Sequence, residues 1–269
     1  MLLRTRDCDS VFTPSAVHIA CACRLIPLGS QGGGKDLTVA LYLDHAFITC
    51  SVGAPEAAAL VERGFVEGSA NVHPGQGTAN RRFFFGNFML ELLWVTNPDE
   101  AASDAVYPTG LWERWSKRSE GASRFGIVYG GVPAYGSSVP FATESYRPPY
   151  LAPPMSIEIV QGMALEEPAL FWISSLVGDR ETSSEPTNHR ASVRSISGVR
   201  IGLTGTRTLS HAARRVRDAA LLDFFSTPSQ VLEVRFQSEH DSILDCRPEL
   251  PLVFLTTAAS RADDASSPQ

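Results

Sequence analysis

The sequence predicts an α+β fold made of two units, each running strand, helix and then three strands. Three observations predict it. Residues 77–95, GTANRRFFFGNFMLELLWV, read as a hairpin: Asn80–Phe85 is rich in strand formers, and Phe88–Val95 is apolar apart from Glu91. Gly86-Asn87 between them is a tight-turn signal. A strand–helix–strand run precedes this hairpin over residues 39–69, and the same order returns over 198–257.

The elements follow in order. Val39–Ser51 reads as the first strand and carries the polar pair Asp44 and His45. Pro55–Arg63 opens with Pro and Glu, is rich in Ala and stops at Gly64, which predicts a short helix. Phe65–Ser69 is a short strand, and Ala70–Gly77 is a loop holding His73. After the hairpin, Asp99–Ser103 and Thr109–Arg118 read as helical, with Thr109 as N-cap. Leu111, Trp112 and Trp115 sit at helical spacing for burial. Phe125–Tyr129 is a strand. Residues 132–154 form a Pro-rich loop, in which Tyr146 and Tyr150 between prolines favour a docked wall. Met155–Val160 and Ala169–Ile173 are strands, and 177–196 is a polar, mobile loop. Gly198–Leu203 is a strand, and Ser210 caps a helix to about Phe225. Val231–Gln237 alternates apolar and polar residues, and Asp241–Cys246 and Leu250–Thr256 complete the second unit.

Residues 1–38 and 258–269 are expected to be poorly ordered ends, since Gly, Ser and charge dominate much of them. The stretch GSQGGGK within 27–38 lacks the spacing of a phosphate loop. Met1–Arg6 is basic, but His18 and Arg24 interrupt the apolar stretch that a signal peptide would need. The 269 residues are 43% apolar, ample for a core, and 29 acids against 23 bases give a net charge of −6. That balance argues against nucleic acid as a partner. No apolar run is long enough to cross a bilayer. The odd count of five cysteines leaves a thiol free and favours a reducing, cytoplasmic setting, and Cys21 and Cys23 are too close for the usual zinc spacing.

Glu91 is the most informative residue. A carboxylate within an apolar run is costly to bury unless a metal ion, an arginine such as Arg81 or Arg82, or a proton compensates it. The alternative is an edge strand with Glu91 facing water. Arg81 and Arg82 alternate faces, so one of them can point inward and clamp an anionic group, or both can be surface charges. His45 is a candidate general base or metal ligand, or a hydrogen-bonded core histidine. His73 lies in a loop that could cap a cleft.

LDHAFI at 43–48, the PEAA helix, residues 77–95, FGI at 125–127, YRPPYL at 146–151 and RPELPL at 247–252 together resemble glyoxalase-like proteins of the vicinal oxygen chelate superfamily. The resemblance covers residues 39–257, with module one about 39–95 and module two about 198–257. It implies paired βαβββ modules whose curled, mixed, antiparallel-rich sheets enclose a cleft. It also implies a divalent metal (Zn, Mn, Fe or Ni) held by His45 and Glu91, with Glu158, Asp245 or Glu249 as candidates for further ligands. The implied chemistry is that of a metal-dependent lyase, isomerase or dioxygenase acting on a small oxygenated molecule. In that reading His45 and Glu91 are catalytic, and Arg81, Arg82 and His73 bind substrate. The alternative is a metal-free module that binds or sequesters a small molecule. Expected partners are the small molecule and, as an option, a second copy of the chain; neither nucleic acid nor membrane is expected.

Overall fold

The computed structural model describes residues 41–131, 141–173, 184–189, 193–205 and 208–258. The predicted N-terminal extension and residues 259–269 of the predicted tail lie outside that set, as do parts of the two long loops.

The first sheet opens with β1 (Tyr42–Thr49), helix α1 (Ala57–Glu62), β2 (Asn71–His73), β3 (Thr78–Phe85) and β4 (Phe88–Val95). After α2 (Pro98–Ala101) and α3 (Leu111–Ser116) it continues through β5 (Phe125–Gly130), β6 (Thr143–Tyr146), β7 (Ile157–Val160) and β8 (Ala169–Ile173). The spatial order is β2-β3-β4-β1-β5-β8-β7-β6. It reads the same from either edge: β1 lies parallel to β4, β5 lies parallel to β8, and β1 meets β5 antiparallel at the centre. The fold is therefore α+β, with paired modules in one curled mixed sheet.

This corrects the expected pairing. The module that completes the sheet of residues 42–95 is 125–173, not 198–257. Three of its four strands, β5, β7 and β8, fall on the expected strands Phe125–Tyr129, Met155–Val160 and Ala169–Ile173, whereas β6, four residues long inside the expected Pro-rich loop, shows no periodicity in sequence. The later stretch builds a second sheet from β9 (Ile196–Thr204), β10 (Asp223–Thr227), β11 (Val231–Ser238), β12 (Ser242–Asp245) and β13 (Leu252–Ala258). Its order is β10-β9-β11-β13-β12, again with an antiparallel centre and parallel neighbours on either side. Helix α4 (His211–Asp218) starts at Ser210, whose hydroxyl accepts the Ala213 amide. It ends earlier than expected. Ala220 takes a positive φ of 54°, and the following Phe224 and Phe225 join an edge strand.

The second sheet covers the back of the first. Phe83, Phe85, Phe88, Leu90, Leu92, Ile127 and Tyr129 form one buried cluster with Val234, Phe236 and Phe254. The Phe85 ring lies 5.3 Å from Phe236, and Phe65 stacks on Phe254 at 4.7 Å. The Tyr129 hydroxyl donates to the Leu221 carbonyl across the interface at 3.0 Å, and burial raises its pKa. Asn87 does more than shape the hairpin turn. Its side chain accepts from the Ile196 amide at 2.8 Å and donates to the Ile196 carbonyl at 3.0 Å, which ties the turn to the start of β9. Among the described residues, no helix is long and apolar enough to cross a membrane.

His189 sits in the same seam with a fixed tautomer. Nδ1 accepts the Val66 amide at 3.0 Å, and Nε2 donates to the Phe84 carbonyl at 2.8 Å. Burial holds its pKa below the ordinary 6.5. As pH falls through 6.5 the unfolded chain takes up a proton that the folded chain resists, so stability falls in that direction. His73 has the same sign of shift. Urea midpoints are therefore expected to drop between pH 7.5 and 5.5. In His189→Gln, whose amide offers the same acceptor and donor, the drop should be smaller; an unchanged drop would clear His189 of the effect.

Candidate functional site

Each of the eight strands of the first sheet contributes a side chain to one cavity of about 360 Å³, from Asn71 on β2 to Tyr146 on β6. A flat sheet of that width would span roughly 34 Å, seven spacings of about 4.8 Å. Only a curled sheet brings its two edges to one space. The volume lies in the range of small-molecule sites.

Strand alternation decides which residues face it. On β4, Met89, Glu91 and Leu93 line the cavity, while Phe88, Leu90 and Leu92 enter the back core. Both faces of β4 are buried, which is why Glu91 is the lone charge in the run. On β1, His45 pairs with Met89 and Phe47 with Glu91, so these side chains share the concave face. Asp44 also lines the cavity, which strict alternation would forbid. The register against β5 slips between Leu43 and His45, and that bulge turns Asp44 inward beside His45.

The polar groups form two sets. In the first, His45 Nδ1 lies 2.6 Å from Asp44 Oδ2. A carboxylate accepts, so Nδ1 carries the hydrogen and the neutral ring keeps its lone pair on Nε2. In the second, the Tyr150 hydroxyl donates to Gln76 Oε1 at 2.7 Å, and Gln76 Nε2 donates to Thr78 Oγ1 at 2.8 Å. His73 Nδ1 lies 2.9 Å from the same Thr78 oxygen, and its ring sits 5.0 Å from that of Tyr150. Burial lowers the pKa of His73, with the nearby Glu91 charge opposing, and burial raises that of Tyr150. Pro149 packs on Gly75, where φ is +76° and an added Cβ would lie 2.8 Å from the proline ring. The Pro-rich loop is thereby docked as a wall.

Glu91 belongs to neither set. It is 8% exposed, and among the described residues no hydrogen bond or ion pair reaches its carboxylate. Arg82 lies directly across from it on β3 and also lines the cavity. Its guanidinium is held elsewhere: Nε donates to the Ser69 carbonyl at 2.7 Å, Nη2 lies 4.0 Å from Glu185, and the group sits 5.1 Å above the Phe84 ring. Tyr146 on the opposite edge has a buried hydroxyl with no partner among the described residues, and burial pushes its pKa up to about 12.

The structure thus brings His45, Glu91, Arg82 and His73 to one cavity and leaves two expected site residues outside it. Arg81 points to the other face of β3, where Nε donates to Glu67 at 2.6 Å and Nη1 to the Ala54 carbonyl at 3.1 Å. Glu158 lies on the far face of β7, opposite Trp172, and accepts the hydroxyls of Ser145 and Ser156. Asp245 and Glu249 belong to the second sheet region, beside Arg247 and Arg63. The implied divalent metal does not fit the remaining donors. Asp44 already holds His45 Nδ1, and among the described residues no three His, Cys, Asp or Glu side chains gather closely enough to share an ion. Sequence reasoning missed Gln76, Thr78 and the inward turn of Asp44. The bulge leaves no mark in residue types, whereas a Gln in a Pro-Gly loop facing a Tyr between prolines was a usable signal.

No family model and no curated protein sequence matches the chain. Among solved structures, a hypothetical protein from Staphylococcus aureus superimposes with a TM-score of 0.46 and 10% identity, covering 81% of this chain and 99% of that one. A variant of Streptomyces coelicolor methylmalonyl-CoA epimerase, in complex with 2-nitronate-propionyl-CoA, gives 0.35 and 17%, covering 51% and 96%. A variant of 4-hydroxymandelate synthase from Streptomyces coelicolor gives 0.35 and 13%, covering 80% and 62%. At these scores the likenesses assign nothing to this chain. The class is defined by its own strand order: an α+β protein whose paired modules curl around a cavity.

Proposed function

We propose that the chain binds a small organic molecule inside the curled sheet. The observation that carries this reading is a cavity walled largely by apolar side chains such as Phe47, Leu93, Val128 and Phe171, which Glu91 lines with a carboxylate that has no protein partner among the described residues. The Tyr146 hydroxyl in the same wall is buried without a partner among the described residues, which is costly to keep for the fold alone, and a bound molecule would offset that cost. The Asp44–His45 pair favours a second reading, proton transfer within that molecule, as in an isomerase or lyase. His45 Nε2 would accept the proton, Asp44 would hold the ring and stabilise its charged form, and Glu91 on the adjacent strand could take up or return a proton.

The test is a fragment titration followed by methyl NMR. Binding is expected to move the methyl signals of Leu93, Leu111, Val128 and Ile157, which line the cavity. Shifts confined to the second sheet, or none, would overturn the binding reading. The proton-transfer reading further expects a bound ketone to exchange hydrogen for deuterium beside its carbonyl in heavy water. That exchange should vanish in His45→Ala while the ketone still binds.

A further inference from the structure

Resting on the cavity reading above, we propose that the bound molecule is an organic cation: an ammonium group on an aromatic body, with Glu91 as its counter-ion. Three observations carry the inference. Glu91 is 8% exposed as a residue, lines the cavity, and its carboxylate lacks a hydrogen-bond donor among the described residues. The other charges in the wall do not neutralise it. Asp44 adds a second carboxylate, bonded to His45, and Arg82 is drawn aside to Ser69, Glu185 and the Phe84 ring. The walls supply aromatic faces: Phe47 and Phe171 lie with centroids 5.9 Å apart, and the rings of Tyr146 and Tyr150 also line the space.

Each ligand class meets this wall differently. An anion would face Glu91, and the arginine in the wall, Arg82, is already held by other groups. A neutral alcohol could donate one hydrogen bond to Glu91 but would leave its charge uncompensated. An ammonium would supply up to three donors and the opposite charge, and charge-assisted hydrogen bonds are about twice as strong as neutral ones. Aromatic faces add attraction for a cation and for the apolar body that carries it. His73 favours the same choice. Its buried ring is biased toward the neutral form and so adds no positive charge to repel the ligand.

The experiment titrates the full chain with three matched probes at pH 7: 2-phenylethylamine, 2-phenylethanol and 3-phenylpropanoate. Affinities are read from the cavity methyl signals for the natural sequence and for Glu91→Gln. The amine is expected to bind about tenfold more tightly than the alcohol, and the acid more weakly than either. In Glu91→Gln, amine affinity should fall to that of the alcohol. Alcohol affinity should be unchanged, which also shows that the variant is folded. An alcohol or acid that binds the natural sequence as tightly as the amine would overturn the inference and leave the cavity reading standing. Retention of the amine preference in Glu91→Gln would overturn it equally. Failure of all three probes would overturn both.

Discussion

Phe85→Ala is expected to cost about 3–5 kcal/mol of folding stability. The side chain is fully buried at the end of β3 and meets the rings of Phe65, Phe88, Phe236 and Phe254. Truncation removes the transfer energy of the ring and leaves a hole at the seam between two sheets. Sheets cannot close such a hole as readily as a loop could, because their spacing is set by many other side chains. Each ring–ring pairing that disappears adds about 0.5–1.5 kcal/mol to area burial, although neighbouring terms overlap. Urea unfolding followed by tryptophan fluorescence would measure the change. A difference below about 1 kcal/mol would mean that the second sheet is not seated on the first as described.

Val128→Trp should do the opposite. Val128 is on β5 and nearly buried, yet its side chain faces the cavity and not the packed seam. Enlarging a side chain in a filled core typically costs about 1–3 kcal/mol, and here empty volume beside it should keep the cost near the lower limit. Binding should suffer far more. A ring that loses its place in the cavity forfeits about 1.5–3 kcal/mol of apolar burial, which is roughly a ten- to hundredfold loss of affinity for 2-phenylethanol. The same NMR titration measures it. Undiminished binding in a folded Val128→Trp would place the ligand outside the cavity.

The contrast between these two residues shows how much the sequence could disclose. The hairpin of residues 77–95 was legible because Gly86-Asn87 and the strand formers around it are local signals. Glu91 was legible because a charge within an apolar run requires a reason. The partner of the first module was not legible. The order of strands in a sheet is a long-range property: β5, β7 and β8 were each legible as strands, but β6 is hidden in a Pro-rich stretch, whereas residues 198–257 display a capped helix and a clear alternation. Arg81 and Arg82 show the same limit at one position. Alternation stated that one of them faces inward, but only the register against β4 decided for Arg82. The bulge at Asp44 follows from backbone geometry against β5, and no residue type there required it.

The alternation along β4 has a practical meaning for laboratory evolution. Positions 89, 91 and 93 form one contiguous cavity face, and positions 88, 90 and 92 of the same strand pack into the core between the two sheets. A randomised library that changes every second codon would explore new ligands on an unaltered scaffold. Shifting that library by one codon would spend nearly all its diversity on chains that do not fold.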